Sequence, residues 1–365
     1  MQRIHFLDVT RALLMLLGIP YHAALVYETS SWLVSSPDKI PALTLLPAAL
    51  SAFRMPGFFL IAGFFAALLL ERRPVGGWLR SRMMRLGLPL LTGMVLIVPV
   101  QTAILQLGPP AAIRLPQDAA SAVYSHLWFL PVLMLLCMGL AATWKLVSRI
   151  EWPDLPVWVL GMGCGLWMMA LRSGEMVANI NLALLDGLVD LEAVLGYAPF
   201  FLFGVAARRN PAILARLTRP DNWTLAIGLL ALSVYCLYWH PRSRFEEFEA
   251  MFAGAVAALC IMQALLAFLA RRFDRASPLV DRFVDASFSI YLFHHPIIVA
   301  LAIAFLAVHL PPALELALVC LIALAASYAI HRALMRSSLM LMLFNGVMPR
   351  RDRGLLSPVS EPSPS

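Results

Sequence analysis

Apolar residues in this chain run in windows of about 20, long enough at 1.5 Å per residue to cross a hydrocarbon layer about 30 Å thick. Ten such windows stand out, near residues 9–27, 45–70, 86–107, 125–144, 155–171, 187–207, 222–239, 249–270, 285–307 and 314–334. Only short polar loops separate them, which leaves no room for a soluble domain. Beyond them a Pro-, Ser- and Arg-rich stretch, residues 346–365, reads as a disordered cytoplasmic tail. Residues 1–345 therefore read as one domain. The expected fold is all-α, a polytopic integral membrane protein with about ten transmembrane helices.

Composition agrees with the pattern. The 365 residues are 61% apolar and 13% charged, with mean hydropathy +0.80, against roughly 45–50% apolar and 25% charged in soluble domains. A net charge of +7 would suit nucleic acid, but the basic residues sit in the short loops, where they act as topology determinants. No nucleic-acid partner is expected. One set of alternate loops holds 21 Lys and Arg and the other 5, a bias that places both termini in the cytoplasm. The remaining two, Arg11 and Arg54, lie well inside spans. Cys137, Cys164, Cys236, Cys260 and Cys320 all lie in apolar windows with no CxxC spacing, so they read as small buried hydrophobes. The first window is too long, and lacks a cleavage site before Tyr27, to be a signal peptide.

Charged and titratable residues inside the spans are the candidates for function, because such groups are costly in lipid and face the protein interior. Arg11 and His22 are eleven positions apart, which on a helix is about 1100°, so they share a face about 16 Å apart along the axis. Asp8 falls within about 60° of both. His22 is the candidate general base. Glu28 closes the first span on the outer side, and Arg54 lies at a depth comparable with His22 in the second. Arg54 wants a carboxylate partner, from the protein or from a substrate. His126 opens the fourth span beside Trp128, either as part of an interfacial aromatic belt or as a sugar-stacking rim. Tyr291, His294 and His295 precede Pro296 near the middle of the ninth span. Adjacent histidines point about 100° apart, which disfavours a shared metal site, and Pro296 is expected to free a backbone carbonyl nearby. In the loop after span 2, Arg82 and Arg85 either offer two guanidinium forks to phosphate or anchor the loop in the cytoplasm.

Taken together the motifs resemble a known family. Arg11 followed by ten residues and His22, and Arg82-x-x-Arg85, are similar to two signatures of the membrane acyltransferase family 3. Within it, Phe6-Leu7-Asp8, Leu14 to Pro20, Phe53-Arg54-Met55, His126 to Leu130, and Phe283 to Ser287 running on to Ile290-Tyr291-Leu292 and His294-His295-Pro296 resemble the osmoregulated periplasmic glucan succinyltransferases. The resemblance implies a ten-helix enzyme of the bacterial inner membrane that passes an acyl group from cytoplasmic acyl-CoA, here succinyl-CoA, to a hydroxyl of a periplasmic glucan. It implies His22 as catalytic base, with Arg11 and Asp8 in support. Arg82 and Arg85 would serve the CoA side. Apart from the resemblance, the depth of Arg54 makes it the candidate for holding the free carboxylate of a succinyl donor. Acceptor contacts would come from Glu28, His126, Trp128, Tyr291, His294 and His295. Acyl-CoA would be a co-substrate, with no further cofactor and no metal. Two alternatives stand beside this reading: an acetyltransferase of the same family acting on another envelope polysaccharide, and a proton-coupled exporter using Asp8, Arg11 and His22 as a relay.

Overall fold

The computed structural model describes residues 4–347 except 31, 276 and 309; the tail from residue 348 onward lies outside the described residues. Among the described residues, fifteen α-helices and one two-strand ribbon follow in order. They are α1 (His5–Leu16), α2 (Gly18–Leu25), α3 (Leu45–Leu70), α4 (Val75–Thr92), α5 (Val98–Gln106), α6 (Ala119–Tyr124), α7 (Phe129–Val147) and α8 (Val157–Ala178). Next come β1 (Ala183–Leu184) and β2 (Val189–Asp190), then α9 (Leu191–Arg209), α10 (Pro211–Leu217), α11 (Asn222–Leu237), α12 (Arg244–Phe273), α13 (Pro278–Phe305), α14 (Pro312–Leu334) and α15 (Ser338–Asn345). All ten apolar windows are helical. Among the described residues, seven rods are long and apolar enough to cross a membrane: 41–70, 75–106, 129–147, 191–209, 244–273, 278–305 and 312–334. The other three windows hold the α1–α2 pair, α8 with Arg172 and Glu175 near its end, and the sixteen-residue α11. The molecule is an all-α membrane protein.

Three departures from the sequence reading bear on the site. The first window is two helices with Leu17 as a turn between them. Pro20 has no N–H for the Leu16 carbonyl, which loosens the ladder there. The stretch carrying Arg82 and Arg85 is not a loop, because α4 begins at Val75, eleven residues before the apolar window. Helices α12 and α13 likewise begin ahead of their windows. Charges at a helix end do not stop a helix when they suit its dipole, as Glu246 and Glu247 do in the first turn of α12 beneath a Ser243 cap. The third departure is a π-helical turn, Gly93–Ile97, that joins α4 to α5; its extra residue changes the face that the following turns present.

Helix α3 is the central post, packed against α1, α2, α9 and α12. Its crossing with α9 is backbone against backbone. A Cβ at Gly63 would meet the Phe201 carbonyl oxygen at 1.9 Å, and one at Gly204 would meet that of Leu60 at 1.8 Å. Only glycine permits this approach, the device by which helices associate where no water drives them together. One pole is tied by polar contacts among helix ends: Arg208 to Glu71 at 2.5 Å, Arg209 to the Ser148 carbonyl at 2.6 Å, and Arg216 in a two-pronged pair with Asp154 at 2.7 Å. At the other pole, the loops after α2 and α5 meet through an antiparallel bridge between Val34 and Ile113.

Candidate active site

Four histidines from separate parts of the chain converge beneath that second pole. Helix α2 supplies His22, a 3-10 turn over Ser125–Leu127 supplies His126, and α13 supplies His294 and His295. The His22 ring centroid lies 4.6 Å from that of His295 and 5.4 Å from that of His294. His126 stacks on His295 at 4.6 Å and meets His294 edge-on at 5.7 Å. The 100° between the adjacent histidines therefore does not send one away, since His22 and His126 lie within reach of both. Trp32 closes one side, 5.8 Å from His22 and 5.3 Å from His295.

The tautomers of His126, His294 and His295 follow from what one ring nitrogen touches. His294 Nδ1 donates to the Tyr291 carbonyl at 2.6 Å. His126 Nε2 donates to the Leu292 carbonyl at 3.1 Å, an acceptor left open because Pro296, four residues on, has no N–H. His295 Nδ1 donates to Gln101 Oε1 at 2.7 Å, and Gln101 Nε2 in turn donates to Ser125 Oγ at 2.9 Å. Tyr291 donates its hydroxyl to the His126 carbonyl. In the neutral rings the second nitrogen of each then carries a lone pair. His126 Nδ1, His294 Nε2 and His22 Nδ1 are all buried with no hydrogen-bond partner among the described residues. The cluster thus presents unused basic nitrogens on His126 and His294 beside an unpartnered Nδ1 on His22, which suits proton transfer from a bound hydroxyl. Among the described residues, no group of three or more His, Cys, Asp or Glu has a metal-holding arrangement.

Arg54 of α3 joins the cluster. It is 7% exposed, its guanidinium carbon lies 4.4 Å from the Tyr21 ring centroid, and the space beside Gly18 separates it from His294. Ser125, which anchors Gln101, has φ of +48°, a strained setting for a residue with a side chain.

The remaining sequence candidates lie apart. Asp8 and Arg11 pair at 3.5 Å, and Arg11 also sits over Phe65 at 5.6 Å. Arg11 lies eleven positions before His22 and Asp8 fourteen, about 16 Å and about 21 Å along the α1–α2 pair. Arg82 is half-buried on α4 against Cys137, while Arg85 is exposed. Glu28 is buried and accepts from Ser30. His126 turns into the histidine cluster, whereas Trp128 turns outward beside Tyr197, 5.9 Å between centroids, so the two do not share one rim. Trp128 lines a cavity of about 280 Å³ with Asp118, Ser121, Tyr124, Ser125 and Asp190. Two positions of helical chain separate His126 from Trp128, roughly 200° around the axis, so the two side chains leave on different sides. Gln101, Ser125, Trp32 and Gly18 escaped the sequence reading. A lone amide in an apolar window was a usable signal for Gln101; Trp32 sits in a loop whose course only the fold reveals.

Comparison with known proteins places these features in context. A family profile described as an acyltransferase domain (type 3) matches residues 4–332. The chain is 32% identical over 322 residues to proteins named "Glucans biosynthesis protein C" from Salmonella paratyphi B, Salmonella agona and Salmonella enteritidis PT4, covering 81% of this chain and 82% of each relative. No solved structure matches.

Proposed function

Because the chain belongs to the type 3 acyltransferase family, we propose that it is a bacterial inner-membrane O-acyltransferase moving a succinyl group from cytoplasmic succinyl-CoA to hydroxyls of a periplasmic glucan. The glucan acceptor follows the naming of its relatives. The observation that carries the chemistry is His22, whose buried Nδ1 has no partner and whose ring lies 4.6 Å from that of His295. A histidine so placed takes the proton of a sugar hydroxyl as the oxygen attacks the thioester carbonyl. The new C–O ester bond forms and the C–S bond breaks. The proton then passes from the imidazolium to the departing CoA sulfur. General-base assistance of this kind is worth about 10²–10⁴ in rate.

The two substrates approach from opposite ends. Arg82 and Arg85, one turn apart on α4, hold the CoA phosphates. Arg85 lies sixteen positions before Gln101, about 24 Å if the rod is helical throughout, so an extended pantetheine arm reaches the histidines while the nucleotide stays outside. The Asp8–Arg11 pair supports α1 beneath His22. On the acceptor side, Trp128 and Tyr124 offer ring faces to sugar, and Asp118 and Asp190 accept from its hydroxyls in the cavity they share. That cavity ends at Ser125, the anchor of the Gln101–His295 chain.

The test is transfer by the purified protein in lipid nanodiscs, with labelled succinyl-CoA and glucan. His22→Ala is expected to lower turnover by about 10²–10⁴ while the protein remains monodisperse. A fully active His22→Ala protein would remove His22 as the base. Unchanged periplasmic glucans in a strain lacking the gene, read by mass spectrometry, would remove glucan as the acceptor.

A further inference from the structure

Arg54 is a buried cation without an anion. Among the described residues it makes no ion pair and no hydrogen bond, and its Nε is buried without a partner. Its polar surroundings are the phenols of Tyr21, Tyr197 and Tyr291, and Glu28 is engaged with Ser30 instead. Guanidinium is always charged, and a charge taken out of water is strongly unfavourable unless paired. The face of Tyr21 offsets part of that cost, but leaves five N–H donors unused. A fork of that shape matches one ligand group above others, a carboxylate held by two parallel hydrogen bonds.

Position fixes whose carboxylate it is. A Cβ at Gly18 would lie 3.0 Å from Arg54 Nη1 and 3.1 Å from His294 Nε2, so the guanidinium reaches the histidine cluster itself. Tyr21 links cation and base, with its ring 4.4 Å from Arg54 Cζ and 4.8 Å from the His22 ring. Arg54 and His22 are thus within about 9 Å of each other. A hydrogen bond of about 2.9 Å and three C–C bonds spanning about 4 Å bring the far carbonyl of a four-carbon diacid within attacking range of a hydroxyl held by His22.

We propose that Arg54 is the specificity-determining residue for the acyl group, pairing with the terminal carboxylate of a dicarboxylic half-thioester and so selecting it over neutral acyl donors. This rests on the acyltransferase reading above and names the part of that site which reads the donor. Acetyl-CoA lacks the carboxylate and would leave Arg54 unpaired in the loaded enzyme, a penalty built in against the wrong donor.

The experiment compares wild type, Arg54→Gln and Arg54→Lys in nanodiscs with succinyl-CoA and acetyl-CoA under one glucan concentration. Expected are a clear preference of wild type for succinyl-CoA and a loss of succinyl transfer in Arg54→Gln of at least roughly 30-fold, as for a buried charge pair that loses one member. Acetyl transfer should not fall in parallel, and Arg54→Lys should recover part of the succinyl rate. Thermal melts separate recognition from scaffolding. Succinate should raise the melting temperature of wild type and not that of Arg54→Gln, and apo Arg54→Gln should be no less stable than wild type because it sheds an uncompensated charge. Equal loss of both transfers in a folded Arg54→Gln protein, or equal use of both donors by wild type, would overturn the assignment while leaving the acyltransferase reading intact. Absence of transfer from any acyl-CoA by wild type would overturn both.

Discussion

Pro296 supplies a test in which stability and activity are expected to move in opposite directions. The helix α13 runs unbroken through it, so the Leu292 carbonyl lies on the ladder with no N–H to receive and is taken by His126 Nε2 at 3.1 Å. Replacing Pro296 with alanine restores the N–H. Proline in a helix interior is about 3 kcal/mol less favourable than alanine, and the present hydrogen bond from His126 returns about 1 kcal/mol of that. A gain of about 2 kcal/mol is therefore expected, seen as a higher melting temperature in nanodiscs. His126, by contrast, then shares its acceptor with a backbone donor better aligned along the helix axis. Its ring loses the contact that fixes which nitrogen carries the proton, and the stack on His295 loosens. Partners of this outer kind typically control about 10- to 100-fold of a site's performance, so transfer should fall by that order, chiefly in kcat. A Pro296→Ala protein that is both less stable and fully active would refute the reasoning, because it would mean that the Leu292 carbonyl is not an exclusive acceptor for His126.

Two further outcomes follow from named contacts. Gln101→Leu removes the acceptor of His295 Nδ1 and the donor to Ser125 Oγ together; transfer should drop about 10- to 100-fold, and a double-mutant cycle with Ser125→Ala should be non-additive, whereas strict additivity would show that the two do not act as one chain. At the tied pole, the Arg216 side chain donates to Asp154 and holds its carboxyl below the usual carboxylate range. That contribution is present above the unfolded-state value of about 3.9 and is lost as pH falls through the lower folded-state value. The melting difference between wild type and Asp154→Asn should therefore shrink on acidification below about pH 4, and a difference that grew instead would contradict the pairing.

Much of the architecture was readable because the bilayer imposes a single dominant pattern. All ten apolar windows are helical, and the depth argument set Arg54 level with His22 and put His294 and His295 near the middle of their span before any contact was known. What escaped was local backbone geometry. Nothing in the apolar count marks the turn at Leu17, whose local cause is Pro20, or the π turn at Gly93–Ile97 and the positive φ of Ser125, which reflect tertiary packing more than propensity. The start of α4 was missed for a different reason. Hydropathy reports where lipid begins, whereas the helix runs on through Arg80, Arg82 and Arg85 into the interface. Adjacency in sequence joins His126 to Trp128, but two positions of helical chain point the two side chains to different sides.

The order in which the site's pieces are made has a consequence for biogenesis. Helices α2 and α3, with His22 and Arg54, leave the ribosome early, whereas His294 and His295 come from α13, near the other end of the chain. Helices enter the membrane in sequence, so for most of synthesis a lone guanidinium and a polar helix face must wait without their final neighbours. The Gly63–Gly204 crossing cannot relieve that wait, because α9 is itself made only midway. Half-made chains therefore carry exposed polar groups at bilayer depth, which is where membrane quality control looks. The same delay has a protective side. A product truncated or stalled before α13 cannot assemble the histidine cluster, so the site stays incomplete until the bundle is nearly finished.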